Sequence, residues 1–270
     1  MSIGWIKAEE YSFNSFLLLE RFQIRLMLEN DAWTRDKAKW RKAAGLALAA
    51  NPAVAWYLKR RCPECASIVD RLTTEAPKGA SAQEVRAAEI AALSSVEDFT
   101  IYTTPEKMAQ SCDFMRGWNK ERLFGLADLS GKTALDVGAG SGRLAFAAAE
   151  KAAWVYASEP VGTLREFMRD KITKEGIANV RVLDGFVESL PFPDNTFDIV
   201  MSGHVVGDDL GKELAELERV CKPGGWLLNV PGDSENDLPS QPELIRRGWE
   251  ELHYVGSFGK NVFIHRKRKT

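Results

Sequence analysis

The run Leu135-Asp136-Val137-Gly138-Ala139-Gly140-Ser141-Gly142-Arg143-Leu144 constrains the fold of this chain more than any other stretch. Thr133, Ala134, Leu135 and Val137 read as a buried strand, and an alanine-rich helix is expected over residues 144–152. Between them lie three glycines, each two residues from the next. Glycine tolerates positive φ and lets the main chain approach a ligand with no Cβ in the way. A strand, a tight glycine turn and a helix start together form a nucleotide-sized cradle. The spacing excludes one version of that cradle. G-x-G-x-x-G would need its third glycine at position 143, which is Arg143; the chain carries D-x-G-x-G-x-G instead.

The segments beyond the glycine loop keep a definite order. Trp154-Val155-Tyr156-Ala157-Ser158-Glu159 reads as a second strand ending in a carboxylate. An acidic residue about 20 positions past such a loop is placed to accept hydrogen bonds from ribose hydroxyls. A helix is expected over residues 162–175 and a third strand over 180–183. Next comes Gly185-Phe186-Val187-Glu188-Ser189-Leu190-Pro191-Phe192, and then Phe197-Asp198-Ile199-Val200, with a fourth strand through 199–201. A helix over 211–220 leads into Lys222-Pro223-Gly224-Gly225 and a fifth strand. Residues 252–258 and 260–265 are β-rich runs around Gly259 and read as a hairpin.

These blocks resemble, in order, those of the class I S-adenosylmethionine-dependent methyltransferases, in particular the small-molecule branch called methyltransferase type 11. The resemblance covers about half the chain. It implies an α/β, Rossmann-like, doubly wound sheet of seven strands with strand seven antiparallel. It also implies S-adenosyl-L-methionine as cofactor and S-adenosyl-L-homocysteine as product. By the same resemblance the backbone of Gly138, Ala139 and Gly140 supports the methionine and ribose portions, with Asp136 organising the loop. Glu159 holds the ribose hydroxyls, and Pro160 or Val161 touches the adenine. Gly185, Phe186 and Val187 occupy the family's G-D-A block. Phe186 stands where that block has its aspartate, either packed on the adenine or as a core phenylalanine. Asp184 does not substitute for it, since side chains two apart on an extended segment lie about 7 Å from each other.

Methyl transfer needs chiefly a nucleophile aligned about 3–3.5 Å from the methyl carbon, sometimes with a base. His204 comes just after strand four, at the carboxyl edge where doubly wound sheets bind ligands, and is the candidate base; a pocket-lining histidine is the plainer alternative. Ser202 and Gly203 line the same edge. Arg116, Arg122 and Tyr102 are candidates to meet the cofactor from upstream, each with a surface or core role as the alternative. No N-P-P-Y or D-P-P-Y comes after strand four, which argues against exocyclic amine methylation.

The remaining sequence sets the boundaries. The chain has 270 residues, 45% hydrophobic and 27% charged, with net charge −2. No apolar stretch is long enough to span a bilayer, and no signal-peptide pattern opens the chain. Four cysteines without framework spacing suit a reducing compartment, so a cytoplasmic location is expected. Residues 1–110 carry helical periodicity, over 13–28, 38–50, 53–72, 83–93 and 105–124, and are expected to form an all-helical cap on the substrate side. Residues 111–270 are expected to form the cofactor-binding domain. Cys62-Pro63-Glu64-Cys65 lacks the second ligand pair that zinc wants, and no resident metal is expected; a site shared across a dimer is the alternative. Arg35, Lys37, Lys39, Arg41, Lys42, Lys59, Arg60 and Arg61, interleaved with Trp33, Trp40 and Trp56, could contact nucleic acid, although a solvated face is the commoner outcome. Arg266 to Lys269 reads as a solvated tail. The expected activity is methylation of a small molecule. Methylation of RNA or protein docked on the basic helices, or a non-catalytic cofactor-binding regulator, are the alternatives.

Overall fold

The computed structural model describes residues 4–29, 37–207 and 209–270. It divides into two compact units, Met1–Ser111 and Cys112–Thr270. Among the described residues no helix is long and apolar enough to cross a membrane.

The first unit is helical: α1 (Arg21–Glu29), α2 (Lys37–Ala50), α3 (Pro52–Arg61), α4 (Ala66–Thr74), α5 (Ala82–Ser95), α6 (Glu97–Tyr102) and α7 (Pro105–Ser111). Local signals set several of these ends. Ser81 and Glu84 form a reciprocal capping box at the start of α5. Pro52 opens α3, where its missing N–H costs nothing. The periodicity that predicts one helix over 53–72 is cut at Pro63, which can neither donate to the preceding turn nor fit against it. A one-turn helix, Pro63–Cys65, joins α3 to α4 instead. Phe13, Phe16, Ile24, Leu48, Leu58, Val69 and Leu93 fill the core.

The second unit begins with two single-turn helices, α8 (Asp113–Arg116) and α9 (Glu121–Phe124), so the expected helix over 105–124 is broken at Cys112 and across residues 117–120. Seven strands come next: β1 (Thr133–Val137), β2 (Trp154–Ser158), β3 (Val180–Leu183), β4 (Phe197–Ser202), β5 (Cys221–Asn229), β6 (Glu250–Val255) and β7 (Asn261–Arg268). Between them run α10 (Arg143–Ala149), α11 (Gly162–Glu175), α12 (Leu210–Val220) and α13 (Pro242–Arg246).

The strand order is β3-β2-β1-β4-β5-β7-β6. β1 pairs in parallel with both β2 and β4, so the chain reverses its direction of winding at β1. β7 is antiparallel to β5 and to β6, inserted between them. This is the doubly wound, seven-stranded α/β arrangement that the resemblance implies. Leu144, Ala145, Ala148 and Met168 of α10 and α11 pack in one core cluster, and Leu214, Leu217 and Leu244 of α12 and α13 in another. β1 feeds both: Ala134 joins the first cluster while Leu135 and Val137 join the second, as strand alternation requires.

One expectation fails here. The basic run at 266–269 is no solvated tail, because its residues close the sheet. Arg266 pairs with Glu250 and its Nη1 donates to the Leu126 carbonyl at 2.9 Å. Lys267 pairs with Glu218 at 2.7 Å. Lys269 Nζ donates to the carbonyls of Glu218 and Cys221, 2.7 Å each.

Candidate functional site

The ligand edge of a doubly wound sheet lies at the carboxyl ends of its strands, at the winding reversal; here that is the ends of β1, β2 and β4. Leaving β1, the chain takes positive φ at Gly138 (62°), Gly140 (59°) and Gly142 (90°). A Cβ at Gly138 would collide with Val205, and one at Gly142 with Phe146. The loop is therefore bare main chain by necessity. Two buried carboxylates hold it. Asp136 reaches past the loop to accept from the Ala145 N–H at 2.9 Å, inside α10. Glu159 accepts from the Gly140 N–H at 2.8 Å and from the Val161 N–H at 2.9 Å, tying the glycine turn to the end of β2. Ala139 N–H donates to the Ser158 carbonyl at 3.1 Å in the same place.

Burial dominates the electrostatics of both acids. Asp136 is 1% and Glu159 4% exposed. Desolvation pushes Asp136 up to about 7, with Arg143 and the Ala145 N–H pulling the other way and Glu159 adding to the rise. It also pushes Glu159 up to about 7, opposed by its two backbone donors and Arg165. An ionised Glu159 thus has few donors for its charge. A carboxylate has about four lone-pair sites, and the two amides use two. A ligand bringing a pair of hydroxyl donors would complete the set. That fits the ribose of S-adenosylmethionine, as does the bare Gly138–Gly140 main chain.

Beside this cradle, β4 ends at Ser202, whose Oγ is buried and has no partner among the described residues. Gly203 is next, and then His204 in left-handed backbone, φ 62°. The imidazole is reachable from solvent yet crowded. It donates to the Pro231 carbonyl, and its ring lies 5.2 Å from that of Phe114. Desolvation first, and then the Arg143 cation, hold it below its ordinary value. His204 is therefore neutral at physiological pH, with one ring nitrogen free to accept a proton.

The other predicted residues scatter. Gly185 is buried against Ser158, whose Oγ donates to its carbonyl at 3.2 Å. Val187 packs partly on the core, and Pro160 is half-buried. Phe186 is 45% exposed, so the core-phenylalanine alternative fails. Arg122 is committed elsewhere: it pairs with fully buried Asp233 and lies over the Tyr254 ring at 3.8 Å. Arg116 pairs with Glu235 and covers the Phe258 ring. Tyr102 is the last residue of α6, in the first unit. Sequence reasoning missed Arg143, Phe114 and Asp233. Arg143 had a usable signal, a cation directly after the third glycine; Phe114 lay inside a stretch read only as helical, and Asp233 in a segment without a pattern.

In the first unit Cys62 and Cys65 are fully buried, their Sγ atoms 3.1 Å apart. Among the described residues no group of three or more metal-ligating side chains converges. Part of the basic set is paired: Lys59 with Asp70 and Arg61 with Glu20, while Arg60 lies over the Trp56 ring at 5.9 Å. Trp40, 4% exposed, belongs to the core and is closed to any base. Trp33 and Arg35 lie outside the described residues.

Comparison with known proteins agrees with the geometry. Residues 135–229 match the family described as "Methyltransferase domain". A demethylmenaquinone methyltransferase of a Geobacillus species is 31% identical over 161 residues, 57% of this chain and 65% of that protein. A ubiquinone/menaquinone biosynthesis C-methyltransferase of Francisella tularensis is 32% identical over 119 residues, 42% of this chain and 48% of that protein. The chain thus spans between about half and just under two thirds of the length of these relatives. A solved Methanococcus maripaludis structure shares the fold, with a TM-score of 0.51 at 17% identity, covering 63% of this chain and 92% of the other. Through residues 135–229 of its second unit, the chain thus matches a methyltransferase domain, carried on a sheet of the same fold as that solved structure.

Proposed function

We propose that this protein transfers a methyl group from S-adenosylmethionine to a small-molecule acceptor, and that the acceptor atom is a ring carbon of a quinone-type compound. The observation that carries the first part is the buried Glu159 carboxylate, held to the glycine turn through Gly140 N–H with lone pairs left for two hydroxyls. The names of the relatives, demethylmenaquinone and ubiquinone/menaquinone C-methyltransferases, support the second.

When bound, the cofactor supplies an electrophilic sulfonium methyl. This chain's residues then bind, orient and manage one proton. Glu159 and the Gly138–Gly140 main chain would hold the nucleoside. Exposed Phe186, with Gly185 and Val187, would flank the adenine. A hydroxylated ring that gains a methyl on carbon must lose the hydrogen from that carbon. Neutral His204, two residues past the end of β4 and beside the Phe114 ring, would take it. The ion pairs of Lys59 and Arg61 and the burial of Trp40 give the nucleic-acid reading less support. The helical unit is the candidate for acceptor selection, and the cytoplasm the proposed location.

Titration calorimetry with S-adenosylhomocysteine, and then tritiated-methyl transfer to demethylated quinols in extract, test both parts. Saturable heat and a labelled quinone are expected. No heat refutes the cofactor reading; heat with label only in other acceptors refutes the quinone assignment.

A further inference from the structure

Arg143 stands directly after the third glycine of the loop. It is the first residue of α10, yet its guanidinium reaches across the sheet edge, where Nη2 donates to the Val230 carbonyl at 2.7 Å. It lies 4.4 Å over the Trp118 ring and 5.8 Å from that of Phe114. A Cβ on Gly203 would sit 2.7 Å from its Nη2, and one on Gly232 2.9 Å from its Nη1. Both glycines are thus bare where this group passes. Nη1 is buried and has no partner among the described residues, and no ion pair of Arg143 with an acid falls within 4 Å among them. The guanidinium is a buried cation under the Gly203–His204 turn, acted on by the Asp136 and Asp233 carboxylates without direct contact.

We propose that Arg143 is a positioning residue for His204: anchored on Val230 and wedged beneath Gly203, its guanidinium fixes the left-handed turn and keeps a positive charge beside the imidazole. A non-glycine residue at φ 62° is held there only when its surroundings over-determine it, and the Val230 anchor with the Gly203 contact does so. The charge opposes protonation of the ring, in the same direction as desolvation. The other charged group acting on His204 is Asp113 of α8, which favours protonation. Its carboxylate is already engaged by Ser234 Oγ and the Glu235 N–H, both at 3.0 Å. Arg143 therefore keeps His204 a proton acceptor at neutral pH.

The inference rests on the methyltransferase reading only in treating His204 as part of the site, and its test requires no turnover. The imidazole signals of the full-length protein are titrated by NMR; there are three histidines, and His204→Asn assigns the relevant one. Arg143→Met is expected to raise the His204 pKa by about one. Arg143→Lys, which keeps the positive charge, is expected to move it clearly less than Arg143→Met does. If Arg143→Met does not fold, Arg143→Gln carries the same test. An unmoved His204 in the neutral variant, or Arg143→Lys moving it as far, overturns the proposal.

Discussion

Replacing Glu159 with glutamine is expected to change the sign of its effect on stability with pH. In the folded protein burial raises this carboxyl to about 7. A raised acid contributes its stability below its unfolded value and loses it as pH climbs through the folded one. The gap to an ordinary glutamate corresponds to about 3 kcal/mol of destabilisation, fully present above neutrality. Glutamine cannot ionise, so it escapes that cost at pH 8. It brings a different one. The side chain accepts from both Gly140 and Val161 amides, and an amide group offers only one acceptor oxygen, which leaves a buried N–H unmatched at about 1–3 kcal/mol. Glu159→Gln should therefore be less stable than the parent by that amount at pH 5, and equal or up to about 2 kcal/mol more stable at pH 8. Urea unfolding of the ligand-free protein at the two pH values, monitored by tryptophan fluorescence, reads the difference. S-Adenosylhomocysteine affinity should fall at least tenfold at both. Equal destabilisation at both pH values would refute the raised, donor-poor carboxylate on which the site is built.

The same geometry sets further outcomes. Gly138→Ala places a methyl group against Val205 at a positive φ and should cost about 1–3 kcal/mol; part of the lost melting temperature should return in the Gly138→Ala/Val205→Ala double variant. Asp233→Asn leaves Arg122 facing a neutral group and weakens the Tyr254 and Ser257 contacts, at 2.9 and 2.6 Å. It should cost about 3 kcal/mol and speed amide exchange in β6, whereas unchanged exchange would show the contacts to be dispensable. Cys62 and Cys65, fully buried with thiols raised by desolvation, should resist iodoacetamide in the folded protein and react in urea. Rapid native alkylation would contradict their burial.

The cradle was legible in the sequence because each of its parts is local. Three spaced glycines, an alanine-rich helix after them and a carboxylate at the next strand end all lie close together along the chain, and secondary-structure periods place them. α11 and β3 match their expected limits for the same reason. What escaped depends on distant partners. Arg122 looks like a free cation near the loop until Asp233, 111 residues later, claims it. The basic run at 266–269 looks solvated until β5, Glu218 and the Cys221 carbonyl supply the other side. Phe186 has the composition of a core residue, and only the short turn that pairs it with Ser189 turns its ring outward. In the helical unit the 3.6-residue period ran unbroken through Pro63 on apolar content alone, while the proline's missing donor divided it.

The insertion of β7 between β5 and β6 has a consequence for quality control in the cell. Until residues 261–268 are in place, β5 presents an open row of peptide groups and β6 has no neighbour on its inner side. A nascent or nicked polypeptide lacking that segment would expose two adhesive edges at once. Such a fragment should be recognised by chaperones or aggregate, rather than persist as a slightly shortened enzyme.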